Sequence, residues 1–221
     1  MNFAVKEAAR ITVLSVKHLV KVYGEKKIIN DISFSIEEGE TVLFVGEKGT
    51  GKTTLFQLIA NLTFATSGEI FVEDVPIKDH RNALRSMAVM IGHPSLYEDM
   101  SGFENLDLYA TLKGISKNKI MEVSACFGLE EVLNKKVKNY SPSMQQRLGI
   151  AACFLQEPNL MLLDEPINQL SREEVLNFVS LLKEKKKKST ILISSQTLNE
   201  MERIADRVLF IKNGKLVSGI L

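Results

Sequence analysis

The sequence holds only two cysteines, Cys126 and Cys153. They lie too far apart for a CxxC metal or redox motif and are too few for a disulfide framework, so a reducing compartment fits. It also lacks an excess of charge of either sign. Lys and Arg number 28 against 27 Asp and Glu, a formal net charge of +1. That excludes the strong basic bias of a general DNA or RNA binder and the acidic bias of a disordered tail. No apolar run reaches the roughly 18 residues of a membrane-spanning helix. Met1 to Arg10 carry Lys6, Glu7 and Arg10 without an apolar stretch, so they do not read as a signal peptide. There is no internal repeat and no low-complexity linker. The expected location is therefore cytoplasmic, in solution or on the inner face of the cell membrane. The 221 residues are 45% hydrophobic, enough for the core of one domain spanning 1–221.

Strand-like and helix-like patterns alternate between turn signals. Ile11 to Val16 reads as a strand, and Val20 to Lys27 carries a Tyr-Gly turn. Ile32, Phe34 and Ile36 alternate with Ser33 and Ser35, the period of a half-buried strand. Thr41–Val45, Gly68–Val72, Met87–Ile91, Leu160–Leu163, Thr190–Ser194 and Val208–Ile211 read as short strands. Helices are expected over Lys52–Ala60, Asn105–Leu112, Ile120–Phe127, Arg172–Lys183 and Leu198–Ala205, and from about Ser141. Asn213-Gly214 marks a hairpin. The expected class is α/β: a mostly parallel sheet covered on both faces, with antiparallel N-terminal strands. A helical subdomain is inserted at about 94–148. The lysines of Lys185 to Lys188 read as a solvated helix end, given the near-zero net charge.

Gly46-Glu47-Lys48-Gly49-Thr50-Gly51-Lys52-Thr53, followed by Thr54, matches G-x-x-x-x-G-K-[ST] between an expected strand and an expected helix. The chemistry needs these residue types. Glycines let backbone N–H groups turn inward around phosphate oxygens. The helix start adds unpaired donors and the positive end of a dipole. Lys52 reaches the β- and γ-phosphates, and the Thr53 hydroxyl ligates Mg²⁺. The apolar run Leu160–Leu163 ends in Asp164-Glu165-Pro166. Both carboxylates then sit at the carboxyl end of a strand, where open α/β sheets bind ligands. Asp164 is the expected second metal-holding residue. Glu165 is expected to orient or deprotonate a water.

On these motifs, with Tyr140 to Gly149 and the closing run Ser194 to Gly214, the chain resembles the nucleotide-binding subunits of ATP-binding cassette (ABC) transporters over about Val13 to Leu221. Leu96-Tyr97 through Glu104-Asn105-Leu106 is similar to exporters of the bacitracin-resistance and lantibiotic-immunity kind. The resemblance implies a P-loop NTPase core, ATP and Mg²⁺ as cofactors, a second ABC subunit as dimer partner, transmembrane permease subunits, and no nucleic acid. It places Tyr23 at the position of an adenine-stacking aromatic. It also implies that Ser141 opens a signature loop facing the nucleotide of the partner subunit.

The same resemblance exposes departures. Where the family reads L-S-G-G-Q, this chain reads Tyr140-Ser141-Pro142-Ser143-Met144. Pro142 has no N–H to donate, and Ser143 adds a Cβ. The family's Q-loop glutamine falls on Gly92, beside His93, which reads as a loop histidine. The D-loop aspartate falls on Ser171 and the switch histidine on Gln196. Gln196 can still donate a hydrogen bond but cannot be protonated. The expected function is an ATP-hydrolysing subunit driving a separate permease, slow in isolation. The alternative is a regulatory subunit that binds nucleotide and hydrolyses little.

Overall fold

The computed structural model describes residues 11–79, 86–186, 188–198 and 200–217. Its strands are β1 (Thr12–Tyr23), β2 (Lys26–Glu37), β3 (Thr41–Val45), β4 (Ser67–Val72), β5 (Val75–Pro76), β6 (Met87–Met90), β7 (Leu160–Asp164), β8 (Thr190–Ser195), β9 (Arg207–Lys212) and β10 (Lys215–Val217). The helices are α1 (Lys52–Ile59), α2 (Gly102–Lys113), α3 (Lys117–Cys126), α4 (Pro142–Phe154) and α5 (Arg172–Lys185). A six-stranded sheet runs β10-β9-β3-β8-β7-β6 and a four-stranded antiparallel sheet runs β2-β1-β4-β5. Within the larger sheet all pairings are parallel except the β9–β10 hairpin.

The central strands are apolar without alternation because both of their faces are covered. Leu43 and Val45 of β3, Leu163 of β7 and Ile193 of β8 pack into one core with α2–α5. Val42 and Phe44, Leu162 and Leu192 point the other way, into a second core with α1 and the antiparallel sheet. Phe44 joins the layers of that second core. Its ring meets Phe34 of β2 edge-on at 5.3 Å and Phe56 of α1 at 5.7 Å.

Most expected strands form close to their predicted bounds. The two N-terminal ones are longer, since β1 continues past Val16 through irregular pairing in which His18 takes φ 48°. The chain turns only at Gly24-Glu25, so β2 begins well before Ile32. Polar residues facing solvent on an antiparallel sheet broke the apolar run that marked the strands. The helix expected over Leu198–Ala205 is a correction: only a single 3₁₀ turn, Glu200–Arg203, forms there, and residue 199 lies outside the described residues. At Asn213-Gly214 both residues have positive φ, 51° and 72°, as the predicted hairpin requires. The lysine run is anchored. Lys185 donates to Gln156 O at 2.6 Å, Lys186 pairs with Asp206 at 2.7 Å and Lys188 with Glu157 at 2.9 Å, while residue 187 lies outside the described residues.

Parallel register fixes what meets at the carboxyl edge of the sheet. Val45, the last residue of β3, pairs with Ser195, and Asp164 pairs with Ser194. The Gly46–Gly51 loop, Asp164-Glu165 and Gln196 therefore leave three adjacent strands side by side.

Candidate nucleotide site

The loop between β3 and α1 is glycine-dependent at two points. A Cβ on Gly46 would lie 2.4 Å from Ile211 O and 2.7 Å from Thr50 Oγ1, so the strand β9 leaves it no side-chain room. Gly51 takes φ 108°, which L side chains rarely adopt. Gly46 N donates to Ser195 O at 3.2 Å, which ties the loop to β8. Helix α1 then begins with no side-chain cap and no acidic residue in its first turn. By contrast α2, α4 and α5 are each capped by a serine, Ser101, Ser141 and Ser171. The uncapped N–H groups of α1 remain available to an anion.

Lys52 is 3% exposed, and its ammonium donates to Gly46 O at 2.6 Å and Glu47 O at 3.1 Å. It also stands 3.4 Å from Glu165 Oε1. Thr53 Oγ1 donates to Asp164 Oδ2 at 2.7 Å. The Ser194 hydroxyl donates to Asp164 Oδ1 and accepts from Glu165 N at 3.0 Å. Glu165 sits just past β7 in a left-handed conformation, φ 48°. That turn sends its side chain toward Lys52 and Gln196. Gln196 Nε2 donates to Glu165 Oε2 at 2.6 Å, and Asn168 Nδ2 donates to the same oxygen. Burial pushes the Glu165 carboxyl up, but the hydrogen bonds from Gln196 and Asn168 and the Lys52 charge outweigh it. The carboxyl is held below its ordinary value, and Glu165 is ionised at neutral pH.

These groups line a cleft of about 460 Å³. Of the residues predicted from sequence, Lys48, Gly49, Gly51, Lys52, Thr53, Thr54, Asp164, Glu165 and Gln196 line it. Gly46, Glu47 and Thr50 shape the loop behind it through the bonds above and the Thr50 N to Glu47 O contact at 3.3 Å. Tyr23 and Ser141 are not among the lining residues. Tyr23, about half exposed, ends β1 in register with Lys26, which does line the cleft. Lys21 Nζ lies 4.5 Å from the Tyr23 ring centroid and donates to Phe64 O at 2.6 Å. The Tyr23 hydroxyl is 3.5 Å from Thr63 Oγ1. Ser141 caps α4, accepting from Met144 N at 3.2 Å.

Sequence reasoning missed Lys26, Ile28, Gln146, Asn168 and Gln169, which also line the cleft. Asn168 and Gln169 had a usable signal, since they directly follow Asp164-Glu165-Pro166 in the chain. Gln146 is 4% exposed and donates to Pro166 O at 2.8 Å, holding α4 against the loop after β7. Gly92 and His93 both face the cleft, and Gly92 has φ 67° with open space where a Cβ would stand.

The donor set fits a phosphate bearing a hard divalent cation. The Thr53 hydroxyl and Asp164 carboxylate supply oxygen ligands side by side. Among the described residues there is no cluster of three or more metal-ligating side chains. A cation held here would take its remaining ligands from phosphate and water, the habit of Mg²⁺ rather than Zn²⁺.

Comparison with known proteins agrees. Residues 29–168 match the family model described as ABC transporter. The lantibiotic transport ATP-binding protein SrtF of Streptococcus pyogenes is 33% identical over 92% of this chain and 89% of its own. The bacitracin transport ATP-binding protein BcrA of Enterococcus faecalis is 35% identical over 94% of this chain and 69% of its own. A solved ATP-binding subunit of an ABC transporter superposes with a TM-score of 0.85 at 29% identity, covering 95% of this chain and 90% of that one.

Proposed function

This chain belongs to the ABC transporter family of ATP-binding proteins, and on that premise we propose that it powers a separate permease exporting peptides or peptide-like drugs. It is an ATP-binding subunit with the ATPase chemistry of its family, and such subunits act as dimers with membrane permease subunits. The similarity to bacitracin and lantibiotic transport proteins supports the cargo class. No described helix is long and apolar enough to cross a membrane. Exposed Tyr97 and, on α2, Leu108, Tyr109 and Leu112 support an apolar docking partner and, in this reading, a position on the inner face of the membrane. In this reading residues 1–221 act as one ATP-binding unit, with α2–α4 as its helical subdomain.

The convergence of Lys52, Thr53, Asp164, Glu165 and Gln196 in one cleft carries the reading. Gly46–Thr54 wrap the phosphates with backbone N–H groups. Lys52 exchanges Glu165 for the β- and γ-phosphates. Thr53 and Asp164 would hold Mg²⁺, which would supply positive charge beside the phosphates. Glu165, kept ionised and aimed by Gln196 and Asn168, orients the attacking water. Gln196 thus acts on Glu165, a role that needs a donor and no titration. Ser141, outside its own cleft, serves the nucleotide of the dimer partner. The comparisons lend no support to the low-hydrolysis alternative. Phosphate release from Mg-ATP by the purified chain, measured across protein concentration, tests the proposal. Turnover per chain should rise with concentration as Ser141 is supplied by a second copy. Release that stays at the protein-free rate at every concentration would sink it.

Tyr23 is the adenine platform in this reading, its ring about half exposed with the Lys21 ammonium over it. Stacking is worth roughly 1–3 kcal/mol and tolerates base identity. Tyr23→Ala should weaken ATP, ADP and GTP alike, by about tenfold. Calorimetry that finds only the triphosphates weakened would place Tyr23 near the γ-phosphate instead.

A further inference from the structure

Ser143 stands where the family's signature has a glycine, and the structure gives its hydroxyl a partner. Ser143 Oγ donates to Glu174 Oε1 at 2.7 Å. Arg147, one turn further along α4, places Nε 3.1 Å from the same oxygen, a charge contact rather than an aligned hydrogen bond. Its Nη1 donates to Phe127 O at 2.7 Å and Gly128 O at 3.0 Å, just past the end of α3. The other Glu174 oxygen accepts from Ser171 N at 2.7 Å, and Glu174 N donates back to Ser171 Oγ at 3.4 Å. One carboxylate therefore joins the first turn of α4 to the first turn of α5. It is 24% exposed and Arg147 is 16% exposed, so both are screened little enough for the pairing to hold geometry.

From this geometry we infer that Glu174 is a positioning residue for ATP hydrolysis, locking the Ser141–Ser143 turn to the loop that carries Asn168 and Ser171. Pro142, at the first helical position, fixes its own φ, and the Ser143 bond fixes the next residue. The turn is rigid where a two-glycine turn is flexible. The loop at the far end of the lock runs back to Glu165, whose carboxylate Asn168 holds. The lock thus joins the turn that meets the partner's nucleotide to the residue that aims water at the chain's own. None of Ser143, Arg147 or Glu174 lines the nucleotide cleft. Their loss should spare ATP affinity and lower turnover.

The inference rests on the ATPase reading above, so wild-type phosphate release is measured first, and its absence fails that reading rather than this one. Ser143→Ala, Ser143→Thr, Glu174→Gln and the Ser143→Ala/Glu174→Gln double variant are then compared with wild type for kcat, for ATP affinity by calorimetry and for melting temperature. Ser143→Ala and Glu174→Gln should each lower kcat at least fivefold with ATP affinity within twofold. Ser143→Thr, which keeps the hydroxyl, should stay within twofold of wild type. The double variant should be no slower than the slower single variant, because the two groups act as one unit. An unchanged kcat in Ser143→Ala overturns the inference. So do losses that multiply in the double variant, and so does a Ser143→Thr variant as slow as Ser143→Ala. If Glu174→Gln melts well below wild type, its kcat is set aside and the alanine and threonine pair at Ser143 decides.

Discussion

Glu165→Gln is expected to bring ATP turnover down by a factor on the order of 10²–10³ while leaving Mg-ATP affinity within about twofold. The substitution keeps the size of the side chain and removes its charge. In the wild type that charge is over-determined: Gln196 and Asn168 both donate to Oε2, and Lys52 stands 3.4 Å from Oε1. An amide still accepts through its one oxygen, so the side chain keeps a place to sit. It cannot draw a proton from water or hold a water by two acceptor oxygens. Binding rests on other groups, the loop backbone and Lys52, so affinity should survive. Single-turnover phosphate release with calorimetry separates the two. An ATP-bound chain that cannot hydrolyse should also accumulate as a dimer, visible by sedimentation. Turnover within tenfold of wild type would show that Glu165 is a bystander and that its contact with Gln196 serves only the fold.

The Gly46–Thr53 loop and Asp164-Glu165 were legible because backbone-binding chemistry dictates their residue types and spacing. The start of one helix and the buried strands were legible for the same local reason: the helix expected from about Ser141, and the uninterrupted apolar runs of Thr41–Val45 and Leu160–Leu163, carry their structure in a few adjacent positions. What was not legible depends on packing between distant segments. No local pattern says that Gln196 will turn toward Glu165, a bond across 31 positions, or that Ser143 will find Glu174 across another 31. Both read as losses when compared with a motif, because a motif records which residue is present and not what it touches. Ser171 is similar: it lacks the D-loop aspartate's charge, yet its hydroxyl and N–H both engage Glu174 at the start of α5. Of the departures, only Gly92 has no side chain with which to take a new partner. The extension of β1 beyond Val16 was not legible for the opposite reason. Its outer half has polar residues facing water, and only pairing with β2 and β4 holds it extended.

Lys52→Ala should weaken Mg-ATP at least tenfold without unfolding the chain. A hydrogen bond to a charged group is worth roughly 1.5–3 kcal/mol, and each 1.4 kcal/mol is about tenfold in affinity. Lys52 is positioned to deliver that in full, because its side chain is 3% exposed and two carbonyls of the loop itself, Gly46 O and Glu47 O, aim the ammonium across the turn. Little of its energy is screened by water, and little entropy remains to be lost when phosphate arrives. The fold should tolerate the loss. The glycine backbone of the loop is held independently, by Gly46 N on Ser195 O at 3.2 Å and by Gly214 N on Thr50 O at 3.2 Å. Glu165 keeps Gln196 and Asn168 as donors. Base and ribose contacts do not involve Lys52, so the size of the effect should follow the phosphate count. ATP and ADP should lose most, and AMP, which has neither a β- nor a γ-phosphate, should bind Lys52→Ala as it binds wild type. Calorimetry with the three nucleotides reads this directly. Equal losses for all three would mean that Lys52 supports the loop rather than the phosphates, and undiminished ATP affinity would remove the phosphate-loop assignment altogether.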